Sequence, residues 1–157
     1  LSRLEAEGKM EGTGIVTQNI DGLHSEAGSR SVFELHGSIH RNYCARCGRF
    51  YSLSRIVESE SDPSGVPLCS CGGIIKPDVV LYGEQLRADV LEGAVRDISR
   101  ADLLIVGGTS LAVYPAAGLI RYYRGHRLVL INRDATPYDR HADLVFHESL
   151  GEIFKQL

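Results

Sequence analysis

The chain has 157 residues, 43% apolar and 24% charged, with a net charge of −3. These values are typical of a globular chain with a hydrophobic core, and they exclude the disordered and membrane-spanning classes. The acidic balance and scattered basic residues argue against binding nucleic acid through bulk charge. We find no secretory signal, and because the chain starts at Leu1 we expect it to begin inside a longer protein.

Short apolar runs alternate with helical patterns along the chain. Apolar runs predict strands at 14–17, 32–35, 78–81, 103–106, 127–132 and 143–147. Helical spacing predicts helices at 86–99 and 150–157, and Pro115 predicts the start of another that runs to Arg124. We expect the run 103–106 to be a parallel strand covered on both faces. This alternation predicts an α/β domain with a doubly wound parallel sheet.

Residues 43–75 differ in composition and contain all four cysteines. Cys44 and Cys47 are followed, after 21 residues, by Cys69 and Cys71. Four thiolates satisfy a tetrahedral Zn²⁺ at about 2.3 Å and leave no open position, which predicts a structural zinc site. Free buried thiols or a redox pair are the alternatives, and Cys-x-Cys in the second pair departs from the commoner spacing. We interpret 43–75 as an inserted zinc-binding module with a flexible tip at 58–65.

The absence of a secretory signal also bears on the compartment. Cysteines in such a chain are more often metal ligands than disulfides, because the surroundings are reducing. We therefore expect a cytoplasmic protein.

A polar cluster follows the first predicted strand. Gln18, Asn19 and Asp21 lie where an α/β sheet presents its ligand groups, although an Asx-type turn is the simpler explanation. His36 follows the second strand. A lone histidine is more often structural than catalytic, but its ordinary pKa of about 6.5 suits a general base.

A glycine-rich turn follows the strand at 103–106. Gly107 and Gly108 allow close backbone approach, and the hydroxyls of Thr109 and Ser110 can donate to ribose or phosphate oxygens. Alone, this string is weak evidence for a nucleotide site.

Taken in order, these motifs resemble the sirtuin family of NAD-dependent protein lysine deacylases, from about Gly14 to the C-terminus. They are the polar cluster, Leu35-His36-Gly37, the cysteines and Gly108-Thr109-Ser110. The resemblance implies an incomplete Rossmann-like domain formed by 1–42 and 76–157, with the zinc-binding module 43–75 inserted.

The resemblance also implies roles for single residues. His36 would be the catalytic base, Asn19 would order the nicotinamide ribose and nearby water, and Gln18 would contact that ribose. Asp21 would bind the nicotinamide carboxamide, and we expect His24 to be structural.

Further positions of the family's site map to the rest of the chain. Gly108, Thr109 and Ser110 would bind the nucleotide, and Asn132 would contact the adenosine ribose beside Arg133. Val79 would make a backbone contact to the acyl-lysine peptide, which adds to an exposed strand edge.

The implied reaction consumes NAD as a co-substrate and transfers the acyl group of a protein lysine, so both transferase and hydrolase descriptions apply. The amide oxygen of acyl-lysine attacks C1′ of the nicotinamide ribose, nicotinamide leaves, and an O-acyl-ADP-ribose is formed. Two alternatives stay open, namely mono-ADP-ribosyl transfer from the same NAD site and a non-catalytic zinc- and nucleotide-binding module.

Two segments typical of the family do not occur in this sequence, a Gly-Ala-Gly-x-Ser turn and an Asp-Phe-Arg loop. They hold the pyrophosphate and cover the nicotinamide. We therefore predict little or no nicotinamide release from NAD and acetylated peptide by residues 1–157 alone. Robust turnover by this chain in a nicotinamide-release assay would contradict the prediction.

Overall fold

The computed structural model describes residues 1–10, 14–58 and 65–156. The chain divides into two compact units, the first Leu1–Lys9 with Ile15–Val90 and the second Met10–Gly14 with Leu91–Leu157. The predicted boundaries of the module at 43–75 stay a prediction. Residues 59–64 of its predicted tip lie outside the described residues.

The first unit begins with a parallel strand pair. After helix α1 (Ser2–Ala6), strand β1 (Ile15–Thr17) is joined to strand β2 (Val32–Glu34) through helix α2 (Leu23–Glu26). The strands pair in parallel from Ile15↔Val32 to Thr17↔Glu34. Because parallel strands end at the same edge, the residues after Thr17 and after Glu34 emerge side by side.

An antiparallel sheet of three strands completes the first unit. Strand β3 (Gly37–Cys44) lies between β4 (Phe50–Ser52) and β5 (Ile75–Val79), and helix α3 (Leu53–Glu58) follows β4. The ladder from β3 to β5 shifts register between Ser38 and Asn42. Strand β5 starts and ends earlier than the predicted strand at 78–81, and Leu81 is 56% exposed, so that prediction was wrong in position.

The second unit is a three-stranded parallel sheet with helices. Helix α4 (Ala88–Arg100) spans the boundary between the units and leads to strand β6 (Leu104–Gly107). Strands β7 (Leu128–Ile131) and β8 (Leu144–Phe146) follow, and helix α5 (Leu150–Phe154) closes the described chain. The order β6-β7-β8 places β7 in the centre, where Leu128 and Leu130 form the core with Leu111.

The α/β class with parallel strands is confirmed, with two differences in the second unit. The segment after Pro115 is a 3₁₀ helix (Ala116–Tyr122), in which the N–H of Gly118 donates to Pro115 O at 3.0 Å. Ile105 of β6 is 37% exposed, so in the described residues β6 is not covered on both faces as predicted; it is also an edge strand of the described sheet. No described helix is long and apolar enough to cross a membrane.

The turn that leads into β3 packs tightly against β5. Gly37 has φ +78°, and an ideal Cβ at this position would overlap the carbonyl oxygen of Asp78. A side chain here would therefore strain the turn and push the β5 backbone away.

We predict that Gly37→Ala strongly destabilises the protein. The left-handed backbone costs about 1–2 kcal/mol and the overlap about 1–3 kcal/mol more. Gly8→Ala is the matched control, since Gly8 has φ +73° with nothing within 4 Å of its ideal Cβ. Urea unfolding measures both variants, and an equal loss of unfolding free energy in the two would contradict the close approach.

Candidate active site and candidate metal centre

The polar cluster lies directly beyond β1. The backbone N–H of Asn19 donates to Thr17 Oγ1 at 3.1 Å, and that of Leu23 donates to Asp21 Oδ1 at 3.1 Å. Asp21 therefore forms an Asx-type turn that starts α2, as the simpler reading of the cluster predicted. A carboxylate accepts several hydrogen bonds, so this turn leaves Asp21 able to accept from a ligand as well.

His36 follows β2 and reaches the polar cluster. Its Nδ1 lies 3.0 Å from the backbone oxygen of Gln18. A carbonyl oxygen only accepts, so Nδ1 is the donor in this bond, and Nε2 is the ring nitrogen that could take a proton from a substrate. Two predicted residues, Gln18 and His36, are thus in direct contact although 18 positions apart in the chain.

The backbone of His36 also contacts the predicted peptide segment. The N–H of Val80 donates to His36 O at 3.0 Å, and Gly37 pairs with Val79 at the end of the ladder. A cleft of about 320 Å³ lies here, lined in part by Leu35, Val79 and Val80. The predicted peptide contact, Val79, therefore borders a cleft that is also lined by Leu35 and Gly37, the two neighbours of His36 in the chain.

His40 is a residue that sequence reasoning missed. Its Nε2 lies 2.8 Å from the backbone oxygen of Asp21 and 3.9 Å from Glu26 Oε1. Gly22 has φ +73°, and a Cβ there would lie 2.8 Å from the His40 ring. His40 thus holds the turn that carries Asp21, whereas His24 lies within α2.

Arg41 was also missed and contacts two acidic side chains. It donates from Nη1 to Glu34 Oε2 at 2.7 Å and from Nε to Asp78 Oδ2 at 2.9 Å. Burial acts to lower the pKa of Arg41, but the hydrogen bonds to Glu34 and Asp78 outweigh it and raise the pKa above its ordinary value. Arg41 therefore stays charged.

The predicted nucleotide residues of the second unit lie at one edge of its sheet. The N–H of Gly108 donates to Ile131 O at 3.0 Å, next to Asn132. Thr109 Oγ1 accepts from the N–H of Leu111 at 3.2 Å, and Asn132 Nδ2 donates to Asp134 O at 2.8 Å. Ser110 and Arg133 are exposed. The carboxyl ends of parallel strands are the usual position for ligand groups.

The four cysteines form a compact sulfur cluster. Sγ atoms of Cys44 and Cys71 lie 3.5 Å apart, those of Cys47 and Cys69 3.7 Å, and all four lie within 4.8 Å of one another. Tetrahedral Zn²⁺ with bonds of about 2.3 Å places its sulfurs about 3.8 Å apart, whereas a disulfide needs about 2.05 Å. The cysteines are therefore positioned to bind a structural zinc ion.

Hydrogen bonds favour the thiolate form at two of these sulfurs, Cys44 and Cys69. The N–H of Cys47 is the main cause that lowers the pKa of Cys44. The N–H of Cys71 and then the hydroxyl of Tyr51, 3.0 Å from Cys69 Sγ, lower the pKa of Cys69 to about 6. At Cys71 the N–H of Gly73 acts to lower the pKa, but the thiols of Cys69 and Cys44 raise it to about 11. Sequence reasoning missed Tyr51.

Comparison with known proteins gives the same family over most of the chain. A profile of the Sir2 family matches residues 1–115. An NAD-dependent protein deacetylase of Clostridium acetobutylicum is 56% identical over 156 residues, 99% of this chain and 62% of that protein. One of Cutibacterium acnes is 60% identical over 152 residues, 97% of this chain and 60% of that protein.

Solved structures agree with this assignment. A structure of Sir2 with p53 peptide and NAD⁺ superposes with a TM-score of 0.85 at 40% identity, covering 99% of this chain and 65% of that one. A Sir2 structure bound to a propionylated peptide gives 0.89, also at 40% identity, covering 99% and 65%. The chain spans about three-fifths of the length of the curated relatives it matches. On sequence and on structure alike, the chain belongs to the Sir2 family.

Proposed function

We propose that the protein is an NAD-dependent protein lysine deacylase that releases nicotinamide and O-acyl-ADP-ribose. The observation that carries the proposal is the contact between His36 Nδ1 and Gln18 O at 3.0 Å, which fixes the orientation of the imidazole beside the polar cluster. Relatives 56% and 60% identical to this chain are named NAD-dependent protein deacetylases. One related Sir2 structure holds 2′-O-acetyl-ADP-ribose with a deacetylated p53 peptide.

Four residues of the first unit would each have a separate role at the nicotinamide ribose. His36, with Nδ1 bound to Gln18 O, takes a proton from a ribose hydroxyl at Nε2. Asn19 orders that ribose, Gln18 contacts it, and Asp21 accepts from the carboxamide NH₂. NAD supplies the leaving nicotinamide, and the acyl-lysine oxygen is the nucleophile.

The second unit would hold the adenosine side of NAD. Gly108 has φ +64°, the Thr109 hydroxyl accepts a hydrogen bond within the turn, and Ser110 is exposed. We propose that all three bind the nucleotide. Asn132 contacts the adenosine ribose and Arg133 lies beside it. These groups suit ribose and phosphate oxygens, which accept from hydroxyl and amide donors.

The substrate would be an acylated lysine in an extended peptide. Strand β5 pairs with β3 and is an edge strand of the described sheet. The peptide adds to this edge through backbone hydrogen bonds, with Val79 as a contact. We further propose that the protein acts in the cytoplasm.

Zinc would have a structural role here. A closed set of four thiolates has no position for water or substrate, so the metal takes no part in the reaction. Cys44, Cys47, Cys69 and Cys71 hold the module 43–75 together, and their cluster packs with Ile75 at the start of β5. A zinc ion held by these cysteines would therefore anchor the strand that ends at the peptide segment.

We predict that His36→Ala lowers the rate of deacylation by about 10²–10⁴-fold, the usual contribution of a general base. The assay uses a fused protein, in which the part of the Clostridium acetobutylicum relative that precedes the matched region is joined ahead of Leu1. Acetyl-lysine peptide and NAD are the substrates, and mass spectrometry identifies the products.

His24→Ala is the control and keeps its rate, since His24 lies within α2. A fully active His36→Ala protein would contradict the role of the base. ADP-ribose left on the acceptor protein, instead of on the acyl group, would contradict deacylation.

We predict one zinc ion per chain, lost in Cys69→Ser because three thiolates and a hydroxyl bind Zn²⁺ poorly. Elemental analysis measures the metal, and Ser70→Ala, whose hydroxyl accepts from Arg49 outside the sulfur cluster, is the control. Chelation of zinc from the unaltered chain lowers its unfolding free energy. A chain isolated without zinc, or one as stable after chelation as before, would contradict the site.

A further inference from the structure

The ladder between β3 and β5 is interrupted next to the His36 turn. Cys44, Tyr43 and Asn42 pair with Ile75, Lys76 and Pro77 at one end, and Gly37 and Ser38 pair with Val79 and Asp78 at the other. Residues 39–41 of β3 have no partner position in β5 between these two stretches. Such a bulge leaves extra residues on one strand and weakens the pairing beside it.

The bulge directs its backbone groups away from β5. The N–H of Ile39 donates to Ile20 O at 3.1 Å, and Ile39 O accepts from Asn42 Nδ2 at 2.9 Å. The N–H of His40 donates to Ser38 Oγ at 3.2 Å. The partners of these backbone groups lie in β3 itself and at Ile20 of the polar cluster. None of these bonds therefore attaches β3 to β5.

The side chain of Arg41 reaches across this interruption. It binds Asp78 of β5 at 2.9 Å and Glu34 of β2 at 2.7 Å. Glu34 lies two residues before His36, and Asp78 lies directly before Val79. One guanidinium therefore joins the strand that leads into the base to the strand that ends at the proposed peptide contact.

The charges of this group make Arg41 hard to replace. The side chains of Glu34 and Asp78 are only 14% and 26% exposed. Without Arg41, the half-buried carboxylates of Glu34 and Asp78 would lose the cation that hydrogen-bonds to both. Arg87, which interacts with Asp78 only through its charge, would not replace it. Removing one partner of a buried ion pair is costly, and two like charges repel.

We propose that Arg41 is a positioning residue, which holds the end of β5 against the His36 turn so that peptide binding and the orientation of His36 depend on each other. The direct backbone link it protects is the bond from the Val80 N–H to His36 O. The functional half of this inference rests on the proposed deacylase function, whereas the structural half does not.

Amide hydrogen exchange at Val80 tests the structural half in the 157-residue chain. We expect Arg41→Met to speed Val80 exchange by about tenfold or more. Without Arg41 the closed state lacks its charge-assisted contacts, so this end of β5 opens more often. The amide of Ile75, bound to Pro67 O at the metal end of β5, serves as an internal reference. Arg55→Met, at an exposed position of α3, is the matched control and leaves Val80 unchanged.

A second variant, Asp78→Asn, keeps the shape of the side chain and shifts Val80 exchange in the same direction by a smaller factor. If Arg41→Met fails to fold, the exchange rate of Val80 in Asp78→Asn tests whether the Arg41–Asp78 contact holds this end of β5. Val80 exchange within twofold of the unaltered chain, or Val80 and Ile75 accelerated by the same factor, would overturn the proposal.

Binding of an acetyl-lysine peptide to the fused protein tests the functional half. We expect Arg41→Met to raise the peptide Kd by about tenfold while the fraction of binding-competent protein stays constant, because a positioning defect weakens each site. A loss of competent fraction with unchanged Kd indicates unfolding and overturns the role. If the unaltered fused protein binds no peptide, the proposed function of β5 fails, and Val80 exchange alone decides what Arg41 does.

Discussion

The close approach between the His36-Gly37 turn and β5 is the constraint on which the first unit depends. Gly37 has no room for a Cβ beside Asp78, and His36 O accepts the N–H of Val80. The imidazole on the same residue points to Gln18 O. One turn thus fixes the proposed base, His36, against the polar cluster on one side and against the proposed peptide strand on the other. Any widening of the turn would separate these two functions.

Strand β3 carries this constraint to the cysteine cluster. It begins at Gly37 and ends at Cys44, so the same eight residues connect the turn with the first metal ligand. Between them, His40 contacts the Asp21 backbone and Arg41 contacts Asp78. The cysteine cluster fixes one end of β5 and the Arg41 contacts fix the other. A structural metal bound there would in this way influence the proposed reaction without taking part in it.

The sequence predicted the residues whose signal is local and missed those whose partners are distant. The cysteine spacing and the polar cluster after β1 are short patterns, and both lie where they were expected. Arg41 and Asp78 are 37 positions apart, and the bulge in β3 brings them together. No short sequence pattern predicts such a contact. Pro77 within β5 also argues against a strand, yet an edge strand tolerates it, so the predicted strand began too late. The roles of the site residues remain proposals.

The central claim is that the polar cluster and His36 form the nicotinamide–ribose end of an NAD site. The most direct measurement compares backbone amide resonances of the fused protein with saturating NAD and with saturating ADP-ribose, which lacks nicotinamide. We predict that NAD, and not ADP-ribose, shifts the Leu23 amide resonance, because Asp21 Oδ1 accepts that N–H and would also accept from the carboxamide. Equal shifts with both ligands, or none at Leu23 and His36, would contradict it.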